Sequence, residues 1–192
     1  QAGTGKSFLV KEILKSLSIA GKQCAIIPSS GIGGSVYDDL HVTVTTVHTF
    51  YGLQTAELPW HLVVDRSISN EGVRARLKVV DCIIWDEASM SSRTIFGLAN
   101  YIHHLLASSD DLMKPFSGKQ LIVVSEFLQL TPVPNAFDEG CLLFESPIFK
   151  KMLPHKYELT TVVRQDPNEI ELLTCLSELR LGKCGKNNER FI

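Results

Sequence analysis

Gln1-Ala2-Gly3-Thr4-Gly5-Lys6-Ser7, residues 1–7, is the stretch on which the reading of this chain turns. From Ala2 to Ser7 it fits the core of a phosphate-binding loop, G-x-x-x-x-G-K-[ST]. Counting back from Gly5, the first glycine of that pattern falls one position before Gln1. Such a loop is normally entered from a β-strand. That strand, like the glycine, is expected before residue 1, so the chain reads as cut rather than degenerate. In loops of this type, glycines let backbone N–H groups close around phosphate oxygens. The helix that follows adds its positive N-terminal end. Lys6 then reaches the β- and γ-phosphates and Ser7 holds Mg²⁺. The competing reading is a glycine-rich turn ahead of an ordinary helix.

Outward from the loop, the elements alternate in the manner of an α/β protein. Residues 6–19 carry apolar side chains near helical spacing, with Gly21 as the stop. Residues 23–28 read as a short buried strand, and residues 45–53 fit either helix or strand. Residues 54–78 read as a polar surface excursion. Residues 79–85 (VVDCIIW) form a second strand that ends in Asp86 and Glu87. Ser91 or Ser92 caps a helix to about Ala107. Residues 120–124 are a third strand, and residues 131–144 a long loop. Ser146-Pro147 opens a helix, and residues 157–159 are a fourth strand. Asp166-Pro167-Asn168-Glu169 has the cap, first-turn proline and glutamate of a helix start. That helix is expected to run to Leu181 and stop at Gly182.

Bulk properties narrow the class less than the order of elements does. The chain has 192 residues, enough for one domain with a core. With 44% apolar and 21% charged residues it has an ordinary globular composition. A net charge of −2 gives no global basic signature for nucleic acid, although a local groove can be basic on a neutral protein. The five cysteines form no C-x-x-C pair, so reduced thiols in an intracellular protein are expected. No apolar run approaches the ~20 residues of a membrane span, and no signal peptide is visible. The chain does not begin with Met, so any leader lies outside it.

Three further stretches carry chemistry. A parallel strand delivers its last side chains to the sheet edge that holds the phosphate loop. Asp86 suits Mg²⁺, directly or through water, and Glu87 suits orienting or deprotonating an attacking water. After the third strand come Ser125, Glu126 and Gln129, and a glutamine near a γ-phosphate reports its presence. Arg164, in VVRQDPNE, precedes the capped helix, where an arginine stabilises transition-state charge. GIGG at residues 31–34 lacks the third spaced glycine of a dinucleotide fingerprint and is rejected as one. His103 and His104 are adjacent on a predicted helix and point to different faces, which argues against a metal role.

Read together, these stretches resemble the petite-integration-frequency (Pif-type) DNA helicases of superfamily 1. AGTGKS is similar to their first motif. PSSGIGG followed by TVHTFYGL is similar to their next blocks, and IIWDEASM to their Walker B motif. KPFSGKQLIVVSEFLQLTPVPN resembles the signature P-F-G-G-x-Q then G-D-F-x-Q-L-P-P-V, and ELTTVVRQD the block with an arginine finger. The resemblance covers nearly the whole chain in order. It implies the three-layer, RecA-like P-loop NTPase fold, a parallel sheet flanked by helices, lacking the strand that enters the phosphate loop. It implies the first of two motor domains, cut at both ends, with the second absent and this fragment alone inactive.

The resemblance also implies ATP-dependent, Mg²⁺-requiring 5′-to-3′ translocation on single-stranded DNA and unwinding at duplex junctions. Family roles are genome maintenance, repair, recombination and telomere processing, in the nucleus or mitochondrion of a eukaryote. Carried over by position, Gly3, Thr4, Gly5, Lys6 and Ser7 hold nucleotide, and Ser7 and Asp86 hold metal. Glu87, Gln129 and Arg164 are catalytic, while Ser29, Ser30, Thr46, His48 and Phe50 fall in blocks associated with DNA. Phe50 and Tyr51 are candidates to stack bases, although such aromatics are more often core.

The chain departs from the pattern in places. Ser125-Glu126 replaces Gly-Asp, Thr131 replaces a proline, Ser117 replaces a glycine, and Gly33-Gly34 replaces two alanines. These changes leave room for a second reading, a relative that binds nucleotide or DNA without unwinding. A transposon-type helicase is a further variant.

Overall fold

The computed structural model describes residues 3–37, 42–53, 58–164 and 170–183. Helix α1 (Lys6–Ile19) starts directly from the glycine loop. Its N-cap, Gly5, sits at φ 83, a left-handed conformation that residues with a Cβ rarely adopt. Four parallel strands follow: β1 (Cys24–Ile26), β2 (Thr43–Val44), β3 (Cys82–Trp85) and β4 (Gln120–Val123). Their order is β2-β1-β3-β4. The register pairs Cys24 with Cys82 and Ile84 with Ile122. Among the described residues, no strand precedes α1.

Strand β3 is buried on both faces because it is apolar throughout, as a central parallel strand must be. Its side chains alternate between two cores. Cys82 and Ile84, with Ile26, pack beneath Val10 and Leu14 of α1. Ile83 and Trp85, with Ala25 and Ile27, face the opposite layer. That layer is built from α3 (Val47–Tyr51), α4 (Trp60–Ser69), α5 (Glu71–Val79), α6 (Arg93–Leu105) and α7 (Phe149–Met152). Helix–sheet–helix is the three-layer arrangement expected from the alternation of elements. A short turn of helix, α2 (Gly31–Gly34), follows β1, and α8 (Ile170–Arg180) closes the described chain.

Several local expectations need correction. Residues 54–78 are no surface excursion: α4 and α5 occupy most of the described part. Asn70 accepts from the Val73 N–H as N-cap of α5. Val63 and Val64, then Val73 and Leu77, turn one face of each helix into the core. Val79 belongs to α5, not to the strand, and is exposed. The ambiguous stretch, residues 45–53, holds a helix: β2 ends before it at Val44, and Thr46 caps α3 by accepting from the Thr49 N–H. Helix α6 ends at Leu105, short of Ala107, and of the two candidate caps Ser92 does the work, accepting from the Ile95 N–H.

Helix α7 begins at Phe149, and the Ser146 carbonyl, rather than its side chain, takes the Phe149 N–H. Residues 157–159 form no strand. Tyr157 is almost fully exposed, and the amides that follow, Val163 and Arg164, turn to the Gly3 carbonyl instead. The helix start at residues 166–169 lies outside the described residues. Its C-terminal stop is present: α8 ends at Arg180 and Gly182 adopts φ 70. Cys24, Cys82, Cys141 and Cys175 are free thiols. Among the described residues, no helix is long and apolar enough to cross a membrane.

His103 is structural. It is buried beside Phe116, and its Nε2 lies 3.3 Å from the Tyr51 hydroxyl. Burial, with the positive charges of Lys119 and His104 nearby, pushes its pKa from an ordinary 6.5 down to about 3. The folded ring therefore stays neutral while the unfolded chain takes up a proton below 6.5. The stability this gives is complete above pH 6.5 and is lost as pH falls towards 3. Urea unfolding across that window should show a loss on the order of a few kcal/mol. His103→Gln, which keeps a polar partner for Tyr51, should remove that part of the slope.

Candidate active site

The carboxyl ends of β1, β3 and β4 stay hydrogen-bonded beyond the strands themselves. The Ser29 amide donates to the Asp86 carbonyl at 3.1 Å, Val124 to Trp85 at 2.8 Å and Ala88 to Val124 at 3.1 Å. Ser29, Asp86 and Ser125-Glu126 consequently share one edge of the sheet. The loop before α1 reaches the same edge. Gly3 and Thr4 are buried, while Gly5, Lys6 and Ser7 are half-buried.

Tyr37 ties the loop to β3. Its hydroxyl donates to Asp86 Oδ2 at 2.6 Å, and the Ser7 side chain lies beside the same phenol. Burial first, and the Asp86 carboxylate second, push the phenol well above its ordinary 10. Ser7 and Asp86, named from sequence as metal ligands, thus converge on one hydroxyl. Asp86 Oδ1 accepts from the Glu87 N–H at 2.8 Å. A hydroxyl and a single carboxylate with phosphates close by are a donor set that fits Mg²⁺.

Lys6 lies in the same field. Burial pulls its ammonium below the ordinary 10.5; Glu126 and Asp86 oppose this, while Arg164 and Arg180 add to it. Arg164 reaches the site because its amide and that of Val163 both donate to the Gly3 carbonyl, at 3.1 and 2.8 Å. Its side chain is exposed. Gln129 is also exposed, in the turn after β4, with its amide on the Glu126 carbonyl.

Two participants were not legible in the sequence. Tyr37 belongs to no motif, and nothing local in the sequence marks it. Arg180 lies on α8 and pairs with Glu126 Oε1 at 3.2 Å, with Glu126 buried. It is one of several surface-type arginines until the fold brings it to β4.

The residues linked to DNA divide. The Ser29 hydroxyl is 2.7 Å from that of Ser91, which also accepts from the Trp85 indole N–H. The Ser30 hydroxyl donates to Glu87 Oε2 at 2.5 Å. Thr46 donates to the Thr49 hydroxyl at 3.0 Å. His48 is half-buried, and burial lowers its pKa. Phe50 is a correction: it is 1% exposed, edge-on to Tyr51, with the Arg76 guanidinium 5.8 Å from its ring centroid. Arg76 is held there by the Phe50 and Thr49 carbonyls, at 2.6 and 2.8 Å. Neither Phe50 nor the fully buried Tyr51 has a ring face left for a base.

Residues 1–190 match the family described as PIF1-like helicase. The ATP-dependent DNA helicase PIF1 of Homo sapiens is 32% identical over 183 residues, which are 95% of this chain and 26% of that protein. Its counterpart in Xenopus laevis is 33% identical over 184 residues, 95% of this chain and 27% of that protein. The ATP-dependent DNA helicase RRM3 of Saccharomyces cerevisiae is 29% identical, covering 95% and 24%. This chain thus spans about a quarter of the length of these relatives. The crystal structure of Pif1 helicase from Candida albicans superposes with a TM-score of 0.85 at 27% identity, over 99% of this chain and 41% of that one. Bacteroides Pif1 bound to ssDNA superposes at 0.73 over 98% and 43%; at 22% identity that likeness concerns the fold alone.

Removing the Tyr37 hydroxyl leaves Asp86 Oδ2, in a buried carboxylate, without that donor. Tyr37→Phe should lower unfolding stability by about 1–3 kcal/mol in urea. Tyr101→Phe, at an exposed ring, should change it by less than about 0.5 kcal/mol.

Proposed function

Because this chain belongs to the PIF1-like helicase family, we propose that it is the first motor domain of an ATP-dependent DNA helicase. In this reading ATP hydrolysis drives 5′-to-3′ movement on single-stranded DNA and the opening of duplex junctions. The observation that carries it is the convergence of Ser7 and Asp86 on the Tyr37 hydroxyl, with Lys6 in reach of the Asp86 charge.

Each residue then has a task that its surroundings support. The loop amides from Gly3 to Ser7 cradle the phosphates. Lys6 is partly desolvated and flanked by carboxylates; it binds the β- and γ-phosphates and stabilises the charge that grows on them. Ser7 and Asp86 hold Mg²⁺. When bound, that ion neutralises phosphate charge and orients the oxygens. Glu87, one residue beyond Asp86, orients the attacking water and accepts its proton. Arg164, tethered to the Gly3 carbonyl through its amide, is the candidate transition-state arginine, and Gln129 the candidate γ-phosphate sensor. A second motor domain would complete the site from the other side. Ser29, Ser30, Thr46 and His48 supply the DNA face. In a eukaryote such work, in repair, recombination or telomere processing, belongs to the nucleus or mitochondrion.

One observation favours a second reading, binding without unwinding. Where the family carries Gly-Asp, this chain has Ser125-Glu126, and Glu126 is engaged by Arg180. The two readings part on turnover in the natural protein that contains this chain. Glu87→Gln should lower DNA-stimulated ATP hydrolysis by about 10²–10⁴-fold while nucleotide still binds. Lys6→Ala should abolish both. Wild-type nucleotide binding with no turnover would select the second reading, and unchanged turnover in Lys6→Ala would reject the motor.

A further inference from the structure

Glu87 is held in an unusual way. Its backbone adopts φ 51, a left-handed conformation uncommon outside glycine. Its Oε2 accepts the Ser30 hydroxyl at 2.5 Å, and the Ser30 oxygen accepts the Gly33 N–H at 3.2 Å. A Cβ on Gly33 would lie 2.6 Å from Oε2, so the carboxylate lies against α2 only because residue 33 has no side chain. Gly33, costly in a helix, makes room for this contact.

A serine hydroxyl has one proton to give. While Glu87 holds it, no other acceptor can. Ser30 is half-buried, and the next residue, Gly31, lines a concavity of about 340 Å³ together with Gly34, Thr45, Thr46 and Thr49. A Cβ on Gly31 would meet nothing within 4 Å, so the concavity is open at that position. In the proposed function this is the DNA face, and a phosphodiester oxygen is purely an acceptor. DNA phosphate and Glu87 therefore compete for the same proton.

We propose that Ser30 is a positioning residue that couples DNA binding to ATP hydrolysis: it holds Glu87 against α2 when DNA is absent and releases it when a phosphate of the strand takes the hydroxyl proton. This rests on the motor reading for its consequence, though not for its geometry. Glu87 remains the group that handles water, and Ser30 acts through it. The coupling is reciprocal: whatever frees Glu87 also favours DNA.

The test uses the natural protein that contains this chain, with an oligothymidylate as probe. Ser30→Ala should raise ATP turnover without DNA about five- to tenfold and flatten the stimulation by DNA. Ser30→Thr, which keeps a hydroxyl, should retain the stimulation. Ser30→Gly repeats the comparison if the alanine variant does not fold. A second measurement needs no turnover. Glu87→Ala should tighten oligothymidylate binding about five- to tenfold when residue 30 is Ser, and not when it is Ala. Equal effects of Glu87→Ala in both backgrounds would overturn the coupling, as would a Ser30→Ala protein whose turnover falls in the same proportion with and without DNA. An inactive wild type that still passes the binding cycle would reject the motor and keep the Ser30–Glu87 competition.

Discussion

Everything at this site depends on three parallel strands whose hydrogen-bond ladder continues past their ends. The amides of Ser29, Val124 and Ala88 extend the pairing of β1, β3 and β4 into what would otherwise be loops. Because β3 is apolar and buried on both faces, it cannot shift register without turning Trp85 or Ile84 into the wrong core. Asp86 and Glu87 are therefore fixed in position by packing several residues away. The glycine loop meets them from the neighbouring layer through Tyr37, and its Gly3 carbonyl takes the amides of Val163 and Arg164.

That arrangement explains which parts were legible in sequence. The loop, α1, β3 with its acidic pair and β4 each carry a local signal: glycine chemistry, helical spacing, or a short apolar run ending in charge. Residues 54–78 misled because their apolar positions are few and interleaved with charge. Val63, Val64, Val73 and Leu77 count only once α4 and α5 face each other and the sheet. The contacts made by Tyr37 and Arg180 depend on placement in three dimensions, and neither has a motif of its own. Phe50 shows the opposite error, since a block associated with DNA contributes that ring to the core.

The departures from the family pattern have physical partners. Ser117 stands at φ 52, where glycine would be unstrained, and its hydroxyl compensates by donating to the His103 carbonyl at 2.7 Å. Phe116, at φ 48, is buried against Phe96 and His103, so the bend is held by packing as well. The same neighbourhood keeps His103 neutral. A substitution that looks unfavourable for the backbone alone is thus anchored to the C-terminal end of α6.

The pairing of Arg180 with Glu126 has one more consequence. Helix α8 lies far along the chain from Lys6, yet its terminal guanidinium contributes to the lysine's electrostatic surroundings. If α8 swung away, Glu126 would lose the Arg180 guanidinium and Lys6 would lose a positive neighbour, so the ammonium would hold its proton more tightly. The helix thus works as a distant voltage setting on the loop, and its docking is recorded in the affinity of a single amine for H⁺.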